Sequence, residues 1–174
     1  MKVRSLVLIA ACALCGCGGD DGSFFTLRVI GSDGAGGRAA IAFSAVDAAR
    51  IVIDPRENVR FPPQMEQQFE GGDVRTAVSS AGEFVITMER AFLESNLVDE
   101  GAGSGFSFDV RLSSDGAFDA PDPLLTVELF QRGDEGQRTI GVFRRSIPWP
   151  LPADAVETIT VGCEAGLQDA CLQP

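Results

Sequence analysis

The stretch Phe106-Ser107-Phe108-Asp109-Val110-Arg111-Leu112 alternates apolar and polar residues without a break. A period of two belongs to a strand that turns one face to a core and the other to water. A helix would throw the four apolar side chains to opposite sides of its axis. Phe, Val and Leu also fit the pleated surface of a sheet. This heptad decides for β structure, and its neighbours agree.

Upstream, a glycine-rich loop over 100–105 precedes it, and 89–98 reads either as a helix built on Phe92, Leu93 and Leu97 or as the end of a strand. Phe84, Ile86 and Met88 pair by pattern with Val74, Thr76 and Val78 around Ser79-Ser80-Ala81-Gly82, which makes a hairpin. Further strands are expected over 24–30, 39–46 and 50–54, and one or two helical turns over 64–70 after Pro62-Pro63. Downstream, 115–123 is a loop, 125–130 a strand, 131–136 a turn, 139–143 the returning strand and 157–161 the last one. Eight or nine short strands without alternating long helices predict an all-β fold, an antiparallel β-sandwich. Immunoglobulin-like and C2-like topologies both fit this pattern.

The chain has 174 residues with 25 Asp+Glu against 14 Lys+Arg, a net charge of −11. That balance argues against a nucleic-acid partner and against attraction to anionic lipid. Histidine and tyrosine are absent, which removes His-based triads, His-ligated metals and the commonest general base. After residue 4 every basic residue is arginine, and the adjacent pair Arg144-Arg145 is expected to be a solvated rim or an ion-pair donor. The glycines of 31–37 lack both the GxGxxG spacing and a GK[ST] ending, so no phosphate loop is present there.

The front of the chain is a different kind of segment. Residues 1–4 are positively charged, 5–14 form an apolar run too short to span a bilayer, and small residues follow. Leu14-Cys15-Gly16-Cys17 resembles the lipobox of bacterial lipoproteins. The resemblance implies cleavage after Gly16, diacylglycerol on Cys17 and acylation of the new amino terminus. A second frame ending at Cys12 leaves a hydrophobic run of barely six residues and is the weaker one. Three segments follow: a signal over 1–16, the lipidated cysteine and a tether over 17–23, and a single domain over 24–174. Lipid chains on Cys17 would hold the protein to a membrane without spanning it, and the six-residue tether from Gly18 reaches at most ~20 Å. By the sorting rule of Gram-negative lipoproteins, Gly18 is compatible with the outer membrane, on its periplasmic or surface face. Without residues 1–16 the basic count falls by Lys2 and Arg4 to 12, and 12 against 25 leaves −13.

In an exported chain Cys163 and Cys171 are expected to form a local disulfide. Closing a loop of that size contributes about 2.5 kcal/mol before strain. Two thiols without an imidazole make a poor zinc site.

Two further stretches carry candidate chemistry. Asp115, Asp119 and Asp122 supply three carboxylates in eight residues, the hard oxygen ligands that calcium takes. The run Asp122-Pro123-Leu124-Leu125-Thr126-Val127-Glu128-Leu129 is similar to the segment entering a strand in C2-type domains, whose apical aspartates bind calcium at membranes. It departs from that family in having Gly116 six positions before Asp122 and Leu124 in place of an aromatic. An ordinary Asp/Gly/Pro turn explains the same residues. Trp149, held between Pro148 and Pro150, is either an exposed ligand platform or a lid over the core.

The expected function is that of a non-enzymatic binding or structural module of the bacterial envelope, with a membrane and an envelope protein or polymer as partners and no cofactor. The alternatives are a calcium-dependent adhesion or membrane module, and a glycan hydrolase working through two carboxylates.

Overall fold

A computed structural model of the chain describes residues 24–34, 40–55, 70–71, 73–100, 106–113, 122–148, 151–152 and 154–162. The strands are β1 (Phe24–Gly31), β2 (Ala48–Asp54), β3 (Glu70–Gly71), β4 (Val74–Val78), β5 (Phe84–Glu89), β6 (Leu97–Glu100), β7 (Phe106–Ser113), β8 (Leu124–Gly133), β9 (Gly136–Ser146) and β10 (Val156–Val161). One helix, α1 (Arg90–Ser95), stands between β5 and β6. The strands form two sheets, in the orders β10-β1-β7-β6 and β3-β4-β5-β2-β8-β9. Facing each other, they make the all-β sandwich that the alternation predicted. The β1–β10 pair is parallel, with Thr26 beside Val156, and the other pairs are antiparallel.

The decisive heptad lies inside β7. Phe106, Phe108, Val110 and Leu112 are buried, while Asp109 and Arg111 point outward. Facing them from the second sheet are Ile51, Ile53, Ile86, Met88, Val127 and Leu129, all at or near zero exposure. Burying a side chain of this size contributes about 1.5–3 kcal/mol.

Phe106 ties several elements together. Its ring stands 5.1 Å from Phe43, tilted by 52°, and is nearly parallel to Phe108 at 6.3 Å. It also lies over Gly31 in the neighbouring strand, where a Cβ would collide with ring carbons. The guanidinium of Arg90, at the start of α1, packs over the Phe43 ring at 3.9 Å. Arg90 donates to the carbonyl of Val46 at 2.7 Å and to that of Phe43, and its Nε donates to Glu94 at 2.8 Å.

That contact explains a difference from the sequence reading. A strand was expected over 39–46, but the described part carries a 3-10 turn, Phe43–Ala45. The alternation is real, since Ile41 and Phe43 are buried while Ala42 and Ser44 are exposed. Among the described residues no strand pairs with this stretch, and Arg90 takes two of its carbonyls from more than forty residues away. The ambiguous stretch 89–98 divides into α1 and the edge strand β6. The turn expected over 131–136 shrinks to Asp134-Glu135, because β8 and β9 stay paired as far as Gly133 and Gly136, the latter at φ +113°.

The two sheets meet along one side. A register shift between Leu129 and Phe130 accompanies an approach of β9 to the end of β10, where Val142 bridges Gly162. Gly141 permits it, because a Cβ there would press on Ile41 and Val161.

Gly31→Ala should therefore force the Phe106 ring off its neighbours. A loss of about 1–3 kcal/mol is expected for overpacking of this kind, read as a lower urea midpoint with an unchanged slope.

Candidate functional site

Strand polarity places the candidate segments. Phe24 pairs with Ser113, Thr26 with Val156, Leu124 with both Ser146 and Asp54, and Phe84 with both Ile53 and Val78. Arg145 of β9 pairs with Glu157 of β10, so the same ends of both sheets coincide. One pole of the sandwich thus holds the start of β1, the end of β7, the start of β8, the end of β9 and the start of β10. The opposite pole holds α1, the 3-10 turn and the β8–β9 tip.

Both described flanks of the aspartate segment, Ser113 and Asp122, stand at the first pole, and so do Ile147 and Leu151 on either side of Trp149. Asp122 itself is exposed and left-handed, at φ +44°. That is an uncommon conformation for a residue preceding proline. Pro123 behind it is buried, and its carbonyl accepts from the amide of Ile147 at 3.1 Å. Asp115, Asp119, Trp149, Cys17, Cys163 and Cys171 lie outside the described residues. Among the described residues no group of three or more His, Cys, Asp or Glu is arranged to hold a metal ion. Among them too, no helix is long and apolar enough to cross a membrane.

The charged side chains that are described act mainly as ties between strands. Arg28 in β1 grips Asp109 in β7 through two parallel hydrogen bonds of 2.8 Å, from Nε and a terminal nitrogen. This bond to Asp109 raises the pKa of Arg28 further above its ordinary value. Arg50 in β2 holds Glu128 in β8 at 2.5 Å and leans over the Phe130 ring. Arg132 reaches Glu89 at 2.6 Å, while its amide donates to the Asp47 carboxylate at 2.8 Å. The pair Arg144-Arg145 splits by strand alternation. Arg145 turns inward to Glu157, as an ion-pair donor should, and Arg144 stays exposed on the outer face.

Among the described residues, these contacts tie strands to one another. Comparison with protein-family models, with curated proteins and with solved structures gives no match to this chain. The sequence reading missed the outer face of the six-stranded sheet. Its signal was the polar phase of β2, β4 and β9, which only strand order turns into a surface.

A double-mutant cycle on Arg28→Ala and Asp109→Ala should give a coupling of about 0.5–1 kcal/mol, since both side chains are about a third exposed. A cationic group with a raised folded pKa contributes fully below its unfolded value and loses that contribution only as pH rises through the folded one. The arginine half of the coupling should therefore hold from about pH 6 to about pH 10.

Proposed function

We propose that this protein is a bacterial lipoprotein, anchored through Cys17, whose β-sandwich serves as a non-enzymatic binding or structural module of the cell envelope. The observation that carries the reading is the run of charged, apolar and small residues that ends in Leu14-Cys15-Gly16-Cys17. Diacylglycerol on that cysteine plus an amino-terminal acyl chain gives stable anchoring, where one chain alone gives only marginal binding. Strand β1 begins at Phe24, so the tether is short and the pole bearing the start of β1 would stand next to the lipid. Gly18 after the anchor favours the outer membrane.

Intact mass of the membrane-extracted protein tests the anchor directly. The expected mass is that of the chain from Cys17 onward plus diacylglycerol and one acyl chain, less the two hydrogens of a Cys163–Cys171 bridge. Cys17→Ser should move the protein out of the membrane fraction and leave it unprocessed. A variant that is cleaved and stays with membranes like the wild type would falsify the proposal.

A second reading, a calcium-dependent membrane module, draws on the position of Asp122 and Ser113. Both flanks of the segment with Asp115, Asp119 and Asp122 stand at the pole where the tether arrives. On this reading calcium raises the melting temperature through binding to the folded state, and a chelator reverses the shift. A melting temperature indifferent to both removes it.

A further inference from the structure

We propose that the peptide bond between Asp122 and Pro123 is a self-cleavage site, broken by the Asp122 side chain, so that the protein can persist as two pieces in one sandwich. The inference goes beyond the reading of this domain as a binding module, and it does not depend on the anchor.

An Asp–Pro step holds the two groups that the reaction needs. The carboxyl of the aspartate can close a five-membered ring onto its own carbonyl carbon. A carboxyl acting as a nucleophile within one residue has the advantage of enforced proximity. The proline nitrogen, substituted by a ring carbon in place of hydrogen, accepts a proton more readily than an ordinary amide nitrogen and leaves as a secondary amine.

In the first step Oδ of Asp122 attacks the Asp122 carbonyl carbon. The carboxyl proton passes to the Pro123 nitrogen, and the bond from carbonyl carbon to nitrogen breaks. A cyclic anhydride at Asp122 and a free amine at Pro123 result. In the second step water opens the anhydride, which restores the side-chain carboxyl and leaves a new terminal one. One water is consumed, and nothing is oxidised or reduced.

Two such steps occur in the chain, Asp54-Pro55 and Asp122-Pro123. The register sets them side by side at one pole, because Asp54 at the end of β2 stands opposite Leu124 at the start of β8. Both prolines are buried. The two aspartates differ in backbone. Asp54 belongs to a strand, the extended conformation that a following proline favours. Asp122 is left-handed at φ +44°. A residue without glycine's freedom is strained there, and the proline ring crowds a predecessor that leaves the extended region.

That strain is fixed from behind. Pro123 is buried, its carbonyl accepts from the Ile147 amide at 3.1 Å, and Leu124 is paired on both sides, with Asp54 and with Ser146. Asp122 itself is exposed to the water that the second step uses. As the carbonyl carbon becomes tetrahedral and the nitrogen pyramidal, the amide plane is lost and the proline ring swings off Asp122. Strain present in the ground state and relieved in the transition state lowers the barrier.

A break at this bond divides β1 to β7 from β8 to β10 without parting them. Strand β8 lies between β2 and β9, and β10 lies beside β1, so the second piece is built into both sheets. Cys163 and Cys171 both fall in that piece, and a bridge between them would not join it to the first.

The test follows the intact mass of the full-length protein with time at 37 °C. Rates are taken at the lowest pH, in the carboxyl range of about 4 to 5, at which circular dichroism still shows the folded sandwich. Fragments ending at Asp122 and beginning at Pro123 are expected. They should form about tenfold or more faster than fragments from Asp54–Pro55, a barrier difference of about 1.4 kcal/mol. In urea at the same pH the fold no longer imposes the left-handed backbone, and the two bonds should break at rates within about twofold of each other. Asparagine tolerates the left-handed region as aspartate does, so Asp122→Asn keeps the backbone and removes the acid. It should slow cleavage at this bond about tenfold or more. Before urea is added, the cleaved protein should elute as one species in size exclusion.

Four results overturn the proposal: no cleavage at Asp122–Pro123 in the folded protein, equal rates at the two bonds in the fold, a preference that survives in urea, or wild-type cleavage by Asp122→Asn. Lipidation at Cys17 is read separately, so failure here leaves the anchor and the binding-module reading standing.

Discussion

The structure depends on the crowding around one ring. Phe106 needs a neighbour without a side chain beneath it, and Gly31 supplies that vacancy in the adjacent strand. With the ring seated, Phe43 has a partner to tilt against, and Arg90 has a face to cover. The same guanidinium then takes the carbonyls of Phe43 and Val46, which no strand among the described residues reaches. The four-stranded sheet, the 3-10 turn and the helix thus share a single packing solution. Buried carbonyls without partners are costly, so the aromatic contact and the polar one support each other.

Much of the architecture was legible in the chain because burial is written into each strand separately. In β7 and β5 every second residue is apolar, and a strand's two faces differ whatever lies beside it. Pairing between distant segments was not legible in this way. Nothing local to Phe24–Gly31 or Val156–Val161 shows that these strands lie side by side and parallel. Ile41 and Phe43 have the right period for a strand, but the period does not reveal whether a neighbour exists. The site divides along the same line. The string Leu14-Cys15-Gly16-Cys17 is local, so its resemblance to a lipobox is legible in the chain, whereas the rows of side chains across the outer face exist only through the order β4-β5-β2-β8-β9. Asp122 stood out as a carboxylate before proline, yet its left-handed backbone was hidden, because residues before proline favour extended conformations.

Charge in this acidic protein is sorted rather than spread. Several arginines pair with carboxylates across neighbouring strands, on the outer faces or at the seam between sheets. The exposed acidic residues Asp122, Asp134, Glu135 and Asp154 lie in turns and at strand approaches. Salt screening over about 8 Å lets such regions act independently at contact.

The parallel β1–β10 pair governs how the domain would bear a load. A pull exerted between the residues before Phe24 and those after Gly162 runs along both strands in opposite directions. The hydrogen bonds between Thr26–Gly31 and Val156–Val161 are then stressed together, sideways, and none can give way ahead of the rest. A hairpin pulled from its open end would peel one rung at a time. Tension between the two chain ends meets the sandwich in its stiffest direction.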